Sequence, residues 1–470
     1  MGLLATINNN DEDLRVRVLS RRLIKASDSS LKPHVLAVSN LDLVLQYMHH
    51  SAVCIYPPTT THFDDVVAVF ESGLPSLLSP FYPFAGRMAA NPSSGLPEVH
   101  CNNQGAELVI GEAGVSLGSL DYSTMTASLR KMPVPYGEDD LALSVQLVSF
   151  ACGGFAVVSR TSHLLADGSA LALLVRAWSE LIRSGTLPEC LRPDLDRSMF
   201  RPRAPPSYST SVNEALTILD GRRQVNALTT ELSFVERLYY IKASDIAWLR
   251  DAASSSDDGG KKRATRVQAL SAYLWKALAG VVAGTGEECC SMAWRVNGRW
   301  KLKTPALQAA ASNNYVGNVV ALPVREESVQ QLLRMPLPDV AALVQETITE
   351  ASYDEYFQEV VDWVEDHKQP GRLLAETVML GLGSPMLRVI ALASFPIDTD
   401  FGFARAAFEM NMTTCAATLC SGTVQILPHP GDDGSWIISA LVWPRLAAVL
   451  EKDIFKPLTA DCLGLLAPQL

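Results

Sequence analysis

A stretch rich in proline, serine and arginine, RPDLDRSMFRPRAPPSYS at residues 192–209, interrupts this chain of 470 residues near its middle. Proline lacks the backbone N–H that helices and sheets use, so such a stretch favours a connection over regular structure. The chain is also too long for one ordinary hydrophobic core. We therefore predict an N-terminal domain over residues 1–200, a crossover linker over 201–225 and a C-terminal domain over 226–470.

Strand and helix patterns alternate on both sides of this linker. In the first half, residues 141–163 predict two strands joined at Gly153 and Gly154, and residues 167–184 have apolar side chains at helical intervals. In the second half, residues 243–253 and 267–284 predict helices, and residues 423–454 predict a hairpin followed by a final helix. This alternation favours an α/β or α+β fold.

The charge and apolar content disfavour several kinds of partner. With 39 basic and 50 acidic residues the formal net charge is -11, whereas nucleic acids and anionic membranes attract basic surfaces. No segment approaches the run of about 18 apolar residues that a membrane-spanning helix requires. The start MGLLAT matches a loose myristoylation pattern at Gly2, but acidic rather than basic residues follow it. We expect a cytosolic protein that binds small molecules, without a nucleic-acid or membrane partner.

The cysteines and glycines give no sign of a bound metal or cofactor. Nine cysteines are scattered along the chain without a C-x-x-C pair, which predicts reduced core residues rather than a zinc site. GLGSP at residues 381–385 carries only part of a dinucleotide fingerprint and has Pro385 where a helix should continue. We expect no metal and no tightly bound cofactor.

The stretch SRTSHLLADG at residues 159–168 carries the main candidate for chemistry. It places His163 at the end of a strand, where pockets form, and an imidazole with a pKa near 6.5 suits a general base. Asp167 precedes Gly168 and a helix, so its carboxylate either caps that helix or orients the His163 ring. A buried structural histidine with an ordinary capping aspartate is the alternative interpretation.

Two other motifs compete with His163. The hairpin turn HPGDD repeats the H-x-x-x-D spacing with His429 and Asp433, but we expect an exposed turn without a pocket there. GVSLG around Ser116 matches the G-x-S-x-G nucleophile elbow of serine hydrolases, which requires a strand, a tight turn and a helix. The residues after Ser116 begin a helix poorly, so a surface turn is the favoured interpretation.

Several stretches in the same order resemble the BAHD acyltransferases, plant enzymes that transfer acyl groups from coenzyme A. SRTSHLLADG resembles their H-x-x-x-D-G signature, and DTDFGFA resembles their D-F-G-W-G motif. Four further stretches resemble recurring family segments: SNLDL near the start, YPFAGR at 82–87, VNGRWKL at 296–302 and NNYVGN at 313–318. The resemblance therefore covers nearly the whole chain.

The resemblance implies a fold and roles for the motif residues. It implies two chloramphenicol-acetyltransferase-like α/β domains joined by a crossover loop, with a channel between them. His163 is then the base that takes a proton from the acceptor, and Asp167 points away and pairs with an arginine, for which Arg299 is our candidate. Gly168, Asp400, Phe401 and Gly402 are structural motif residues. Phe403 and Ala404 replace the family's tryptophan and second glycine, and a Cβ at Ala404 is penalised if that glycine uses a positive φ.

The same resemblance implies an acyl-CoA co-substrate. Lys261, Lys262 and Arg263 match the place where the family binds coenzyme A, although a solvated loop is the alternative. The acceptor is an alcohol or amine of plant specialised metabolism, and the acyl group is of hydroxycinnamoyl, benzoyl or acetyl type. Ser394 stands where shikimate and quinate transferases carry a basic residue, which favours a neutral alcohol.

Three functions remain open from the sequence. The first is acyl transfer by a monomer with His163 as the base. The second is a serine hydrolase that uses Ser116, and the third is a non-catalytic binding protein of the same fold. The acidic stretch at residues 353–368 could attract a polyamine, but its spacing is typical of an amphipathic surface helix.

Overall fold

The computed structural model describes residues 14–138, 140–219, 234–254, 263–393, 399–415 and 421–466. The strands are β1 Val16–Ile24, β2 His34–Ala37, β3 Met48–Tyr56, β4 Arg87–Ala90, β5 Pro97–Cys101, β6 Ala106–Ala113, β7 Leu143–Phe150, β8 Phe155–Ser162, β9 Leu216–Ile218, β10 Val235–Ile241, β11 Cys289–Asn297, β12 Val320–Ala321, β13 Val324–Ser328, β14 Leu374–Glu376, β15 Met386–Ala391, β16 Phe408–Cys415, β17 Gly422–Pro428, β18 Trp436–Val442 and β19 Lys456–Pro457.

Helices alternate with these strands in both halves, as the sequence predicts. They are α1 Asn40–Leu43, α2 Phe63–Leu78, α3 Gly168–Ser184, α4 Thr210–Ala215, α5 Ala243–Ala252, α6 Arg266–Val282, α7 Pro305–Ala310, α8 Val329–Arg334, α9 Leu337–Glu350, α10 Tyr353–His367 and α11 Pro444–Leu450. The mixed α/β fold class is confirmed.

The first large sheet has the strand order β1-β6-β7-β8-β3-β16. Strands β7 and β8 form the predicted antiparallel pair, and Gly153 between them has a φ of 81°, which favours glycine. The last strand of this sheet, β16, comes from the second half of the chain and pairs antiparallel with β3. The chain therefore returns to its first sheet well after the predicted linker.

The second large sheet has the order β12-β11-β15-β17-β18-β10-β19, with β13 also pairing with β11. Strand β15 runs parallel to both of its neighbours, β11 and β17, and β17 and β18 form the predicted antiparallel hairpin. A hydrophobic cluster joins the two sheets through Val53 and Phe408 from the first and Leu238 and Ile437 from the second, all fully buried. This packing fixes β16 between the two halves.

The described part of the predicted linker lies against helix α10. The backbone N–H of Arg203 donates to the buried carboxylate of Asp362 at 2.8 Å, and helix α4 packs on the same helix. Helix α10 buries Phe357 and Val361 on one side, so the amphipathic helix predicted there is confirmed. The domain limits at residues 200 and 225 stay predictions, because residues 220–233 lie outside the described ranges.

Candidate active site

His163 lies where strand β8 ends and the chain turns toward helix α3. Its backbone N–H donates to the Met48 carbonyl at 3.0 Å, next to the pairing of β8 with β3. The residue is only 9% exposed. Its side chain lines a cavity of about 90 Å³, here called the histidine cavity, whose walls also include His50, Asp167 and Arg388. The imidazole is therefore buried and yet borders a space that can admit a substrate.

Asn318 fixes which nitrogen of the His163 ring carries the proton. The Asn318 side-chain amide nitrogen donates to the His163 carbonyl and to Oδ1 of Asp42, both at 2.8 Å. Its oxygen Oδ1 is left to accept a hydrogen bond from Nδ1 of His163 at 2.9 Å. Because Nδ1 then carries the hydrogen, Nε2 of His163 has a free lone pair, which is the form that a general base needs.

Asp42 holds Asn318 in that orientation. The carboxylate of Asp42 is fully buried, accepts from the Asn318 backbone N–H at 3.0 Å, and forms an ion pair with Arg197 at 2.9 Å. Sequence reasoning quoted the stretches SNLDL and NNYVGN but assigned no role to Asp42 or Asn318. Their place in stretches that resemble recurring family segments is the only sequence signal for them, because both lie far from His163 in the chain.

Burial keeps the His163 imidazole neutral. It lowers the pKa of His163 to about 3 from the ordinary 6.5, and the positive charges of Arg295 and Arg388 act in the same direction, while the hydrogen bond to Asn318 opposes them. The pKa of the neighbouring His50 is also lowered, first by burial and then by His163. The two rings lie 4.0 Å apart between centroids. At neutral pH the His163 imidazole is therefore unprotonated.

Asp167 uses both carboxylate oxygens away from the His163 ring. Oδ1 accepts from the backbone N–H groups of Ser169 and Ala170 at 3.1 and 3.0 Å, which makes Asp167 the N-cap of α3. Oδ2 accepts from Nη1 of Arg299 at 2.6 Å and from the Val319 backbone N–H at 3.0 Å. The structure thus favours the capping and ion-pair role over the ring-orienting role, and Arg299 is the partner that was predicted.

Arg299 extends this contact to the loop that carries Asn318. Its Nη2 donates to the carbonyls of Tyr315 and Gly317, each at 3.1 Å. Together with the Asp167–Val319 bond, these contacts hold the residues on both sides of Asn318. Asp167 therefore positions His163 indirectly, through the loop whose amide orients the ring.

A second, larger space adjoins the histidine cavity. This large cavity has a volume of about 500 Å³ and shares Gly168, Leu392 and Asn411 with the histidine cavity. Among the described residues, two arginines, Arg183 and Arg405, and three carboxylates, those of Asp400, Glu409 and Asp432, contribute to its walls. The histidine cavity also continues on another side into a space of about 60 Å³, here called the rear cavity. Reactants can thus approach His163 from more than one direction.

The chain matches the model of the transferase family over residues 14–453. It belongs to this family. Among its curated relatives is putrescine hydroxycinnamoyltransferase 1 of Oryza sativa subsp. japonica, 27% identical over 465 residues that cover 94% of this chain and 99% of that protein. Another is anthranilate N-benzoyltransferase protein 1 of Dianthus caryophyllus, 28% identical over 362 residues, with 71% and 76% covered. The resemblance to the BAHD acyltransferases is thereby confirmed.

Solved structures of similar fold include two acyltransferase-family members. Vinorine synthase matches with a TM-score of 0.67 at 20% identity and covers 96% of this chain and 98% of its own. TRI101 of F. graminearum, complexed with coenzyme A and T-2 mycotoxin, matches with a TM-score of 0.72 at 16% identity, covering 89% and 97%. At this identity the structures support the fold, and the family match supports acyl transfer. The chain is an acyl-CoA-dependent acyltransferase of BAHD type.

The second BAHD motif depends on one glycine here. Gly402 has a φ of 87°, a backbone conformation that residues with a side chain rarely adopt. This position therefore favours glycine. Its backbone N–H donates to Oδ1 of Asp400 at 2.9 Å, and Arg183 donates to the Asp400 carbonyl at 2.5 Å. Ala404 is not among the non-glycine residues with positive φ in the described ranges. The penalty considered for Ala404 therefore does not arise.

Aromatic side chains pack the same motif against the first half of the chain. Phe401 is buried and lies 4.8 Å from Phe70 and 5.6 Å from Trp178 between ring centroids. Phe403, which replaces the family's tryptophan, lies 6.3 Å from both Phe70 and Phe155. The phenylalanine thus fills an aromatic layer, and the architectural role that the resemblance implies for the motif stays a prediction.

The predicted coenzyme A patch is only partly visible. Lys261 and Lys262 lie outside the described residues. Arg263 is about half exposed, forms an ion pair with Asp251, and is not among the residues that line the large cavity. The cations that do line it, Arg183 and Arg405, were not predicted, because neither stands in a basic run of the sequence.

The two competing motifs differ in outcome. Ser116 precedes a short 3₁₀ turn at Leu117–Ser119 rather than a helix, so the strand–turn–helix of a nucleophile elbow is not formed. His429 does lie on the β17–β18 turn, but it lines the large cavity with Asp432, so the expectation of a turn without a pocket is wrong. Its Nε2 hydrogen-bonds the Cys462 carbonyl at 2.9 Å and its Nδ1 accepts from Gly431, which gives His429 a structural role.

Metal and membrane motifs are not found in the part of the chain that the structure describes. No group of three or more histidine, cysteine or acidic side chains is arranged there to hold a metal ion. Within the same residues, no helix combines the length and apolar character needed to cross a membrane.

Proposed function

We propose that this enzyme transfers an aromatic or short acyl group from acyl-CoA directly to a hydroxyl or amine, with Nε2 of His163 as the general base. The hydrogen bond from His163 Nδ1 to Asn318 carries the proposal, because it leaves the Nε2 lone pair free in a buried site. The printed functions of the relatives, which include hydroxycinnamoyl and benzoyl transfer, support the type of acyl group.

The chemical steps follow from that lone pair. Nε2 takes the proton of the acceptor O–H or N–H while the acceptor atom attacks the thioester carbonyl carbon. The tetrahedral intermediate then collapses and breaks the C–S bond. The coenzyme A sulfur leaves with the proton that His163 held, which restores the neutral imidazole. No acyl-enzyme forms, because the acceptor attacks the thioester itself.

The large cavity is the place that we assign to the donor. It reaches the histidine cavity at Gly168, and we assign Arg405 on its wall to the phosphates of coenzyme A. Arg183 also lines it and forms an ion pair with Glu180. The β17–β18 turn forms one of its walls, and Arg266, at the start of α6, donates to the Gly434 carbonyl on that turn at 3.4 Å. A further cation thus stands near this cavity. We also propose a monomer as the active form.

The deciding experiment measures thiol release together with the acylated product. Purified enzyme receives benzoyl-, p-coumaroyl- or acetyl-CoA with a mixture of alcohols and amines, and mass spectrometry identifies the product. We expect free coenzyme A to appear only when an acceptor is present, in equal amount to the acylated product. Release without an acceptor would indicate a hydrolase, and saturable donor binding without any release would indicate a binding protein.

A further inference from the structure

Among the described residues, seven polar side chains besides His163 and Asp167 line the histidine cavity, and four of them come from elements other than strand β11 and helix α3. His50 comes from β3, Asn411 from β16, Arg388 from β15 and Gln425 from β17. His50, Arg388 and Gln425 are each at least nine-tenths buried. The first and second sheets thus both contribute to one small polar space, and the established roles of the family motifs do not use any of these four residues.

Three of these side chains present unused hydrogen-bonding capacity to the cavity. Oε1 of Gln425 is buried and has no hydrogen-bond partner among the described residues. The His50 ring and Oδ1 of Asn411 are buried beside it, and their contact with each other falls short of a well-formed hydrogen bond. Buried polar atoms are normally paired, because leaving them unpaired costs free energy. Their concentration beside the catalytic base indicates a bound group that both donates and accepts hydrogen bonds, as hydroxyl groups do.

The position of Gln425 points to the acceptor rather than to the donor, whereas Asn411 lines all three cavities. Gln425 and Arg388 line the histidine cavity and the rear cavity, and neither lines the large cavity assigned to acyl-CoA. The rear cavity continues past His163 toward Arg130 and Glu236. The unpaired oxygen of Gln425 therefore faces the part of the site that the coenzyme does not need.

The local charge disfavours a cationic acceptor. Arg295 and Arg388 line the histidine cavity, and Arg295 forms an ion pair with Glu376. The only carboxylate on the described walls, that of Asp167, forms an ion pair with Arg299. Both arginines contribute to the lowered pKa of His163, although burial contributes more. An ammonium group would therefore find no unpaired carboxylate on the described walls of the histidine cavity.

The acidic helix α10 does not supply a carboxylate for a cationic acceptor either. Its carboxylates bind other parts of the chain: Asp362 contacts Arg203, Asp366 accepts from Tyr208 at 2.8 Å, and Glu359 accepts from Ser209 at 2.6 Å. These contacts hold the crossover segment. Because these carboxylates are already paired, helix α10 does not support a polyamine acceptor.

We infer that His50, Asn411 and Gln425 select an acceptor that bears at least one further hydroxyl group beside the one that is acylated, and no positive charge. This inference rests on the proposed function and specifies its acceptor. The second hydroxyl donates to the amide oxygens and accepts from the imidazole or from Arg388. A simple alcohol leaves these atoms unpaired, and a polyamine brings a cation to a cavity whose described walls offer it no unpaired carboxylate.

A competition between matched acceptors tests the inference. The enzyme receives benzoyl-CoA and equal amounts of cyclohexanol, cis-1,2-cyclohexanediol, cyclohexylamine and putrescine, and mass spectrometry gives the product ratios. We expect the diol to be preferred over cyclohexanol by about tenfold or more in kcat/KM, because a site built to bind a hydroxyl rejects the analogue without it. We expect both amines to rank below the diol.

Variants of Gln425 test whether the polar side chains of the histidine cavity cause the preference for the diol. Gln425→Leu should reduce the preference for the diol to about threefold or less while donor KM stays within about twofold, as expected for a change in acceptor binding alone. Gln425→Glu adds a negative charge and should raise the use of amines relative to cyclohexanol. Gln345→Leu, on the exposed face of α9, is the matched control and should keep the wild-type ratios.

The outcomes separate this inference from the proposed function. Three results would each overturn the inference and leave acyl transfer standing. The first is a preference for an amine or for cyclohexanol, and the second is a diol preference that survives Gln425→Leu. The third is a Gln425→Leu variant that alters the choice of acyl donor instead. Acyl-CoA that binds but releases no coenzyme A with any acceptor would overturn the proposed function, and this inference with it.

Discussion

Asp167 and Arg299 form a buried ion pair, 2.6 Å between Oδ2 and Nη1, that joins the start of helix α3 to the loop before Asn318. Both side chains are almost fully buried, at 1% and 0% exposure. The pair therefore links the strand end that carries His163 to the amide that orients its ring. Its contribution is to the geometry of the base rather than to proton transfer.

We predict that Asp167→Ala destabilises the protein more than it impairs the chemical step. Loss of the carboxylate removes a helix cap worth about 1 kcal/mol and leaves a buried guanidinium unpaired, which costs about 3 to 5 kcal/mol. Chemical denaturation measures the loss. The double variant Asp167→Ala/Arg299→Met should be less destabilised than Asp167→Ala alone, because the orphaned charge is gone. A stable single variant without activity would instead support the ring-orienting role.

We predict that His163→Ala lowers turnover by about 10² to 10⁴, as expected for loss of a general base, with donor binding nearly unchanged. His429→Ala is the matched comparison, since it alters the other H-x-x-x-D histidine. It should retain kcat, and because His429 lines the large cavity, any effect should fall on donor KM. Wild-type turnover in the His163 variant would contradict the assignment of the base.

We predict that Asn318→Ala lowers kcat by about 10², because the His163 ring then loses the acceptor that keeps the hydrogen on Nδ1. Donor KM should change little, since Asn318 is not on the wall of the large cavity. Steady-state kinetics across pH 5 to 9 gives both values. Variants of unrelated core residues that lose as much stability as Asn318→Ala serve as the comparison. If their kcat fell as far as that of Asn318→Ala, Asn318 would have a purely structural role.

We predict that Arg405→Ala raises KM for acyl-CoA and leaves kcat within about threefold, because a phosphate contact contributes to ground-state binding. Arg176→Ala is the control. Arg176 lines a separate cavity of about 510 Å³ that meets the histidine cavity at Ser169 and Asn297. If Arg176→Ala raised donor KM and Arg405→Ala did not, the coenzyme would enter by that other route.

We predict that stability falls as the pH is lowered from about 6.5 toward 3. The pKa of His163 is about 3 in the folded protein against an ordinary 6.5, and that of His50 is also well below its ordinary value. In this window the unfolded chain binds protons that the folded chain does not, so stability rises with pH by about 1.4 kcal/mol per unit for each such histidine. Denaturation of wild type and His50→Gln between pH 5 and 7 measures this. An unchanged slope in the variant would argue against a buried neutral His50.

Much of the local structure could be predicted from the sequence, because it depends on neighbours in the chain. Asp167 caps α3 since its carboxylate reaches backbone amides two and three residues on. Helix α2 at Phe63–Leu78 follows its apolar spacing, and the β7–β8 pair follows the turn at Gly153 and Gly154. The motif residues that identify the family are likewise contiguous stretches.

The tertiary structure alone decided how the site is assembled. Asn318 bonds the His163 ring although the two residues are 155 positions apart in the chain. Asp42, which orients Asn318, is 276 positions away from it. Strand β16 crosses into the first sheet and brings Asn411 beside His50, and β17 brings Gln425. Hydrogen bonds between such distant side chains depend on how the two sheets pack. A local sequence pattern therefore determines the base and its helix cap, whereas sheet packing determines its tautomer, its burial and the polar groups around it.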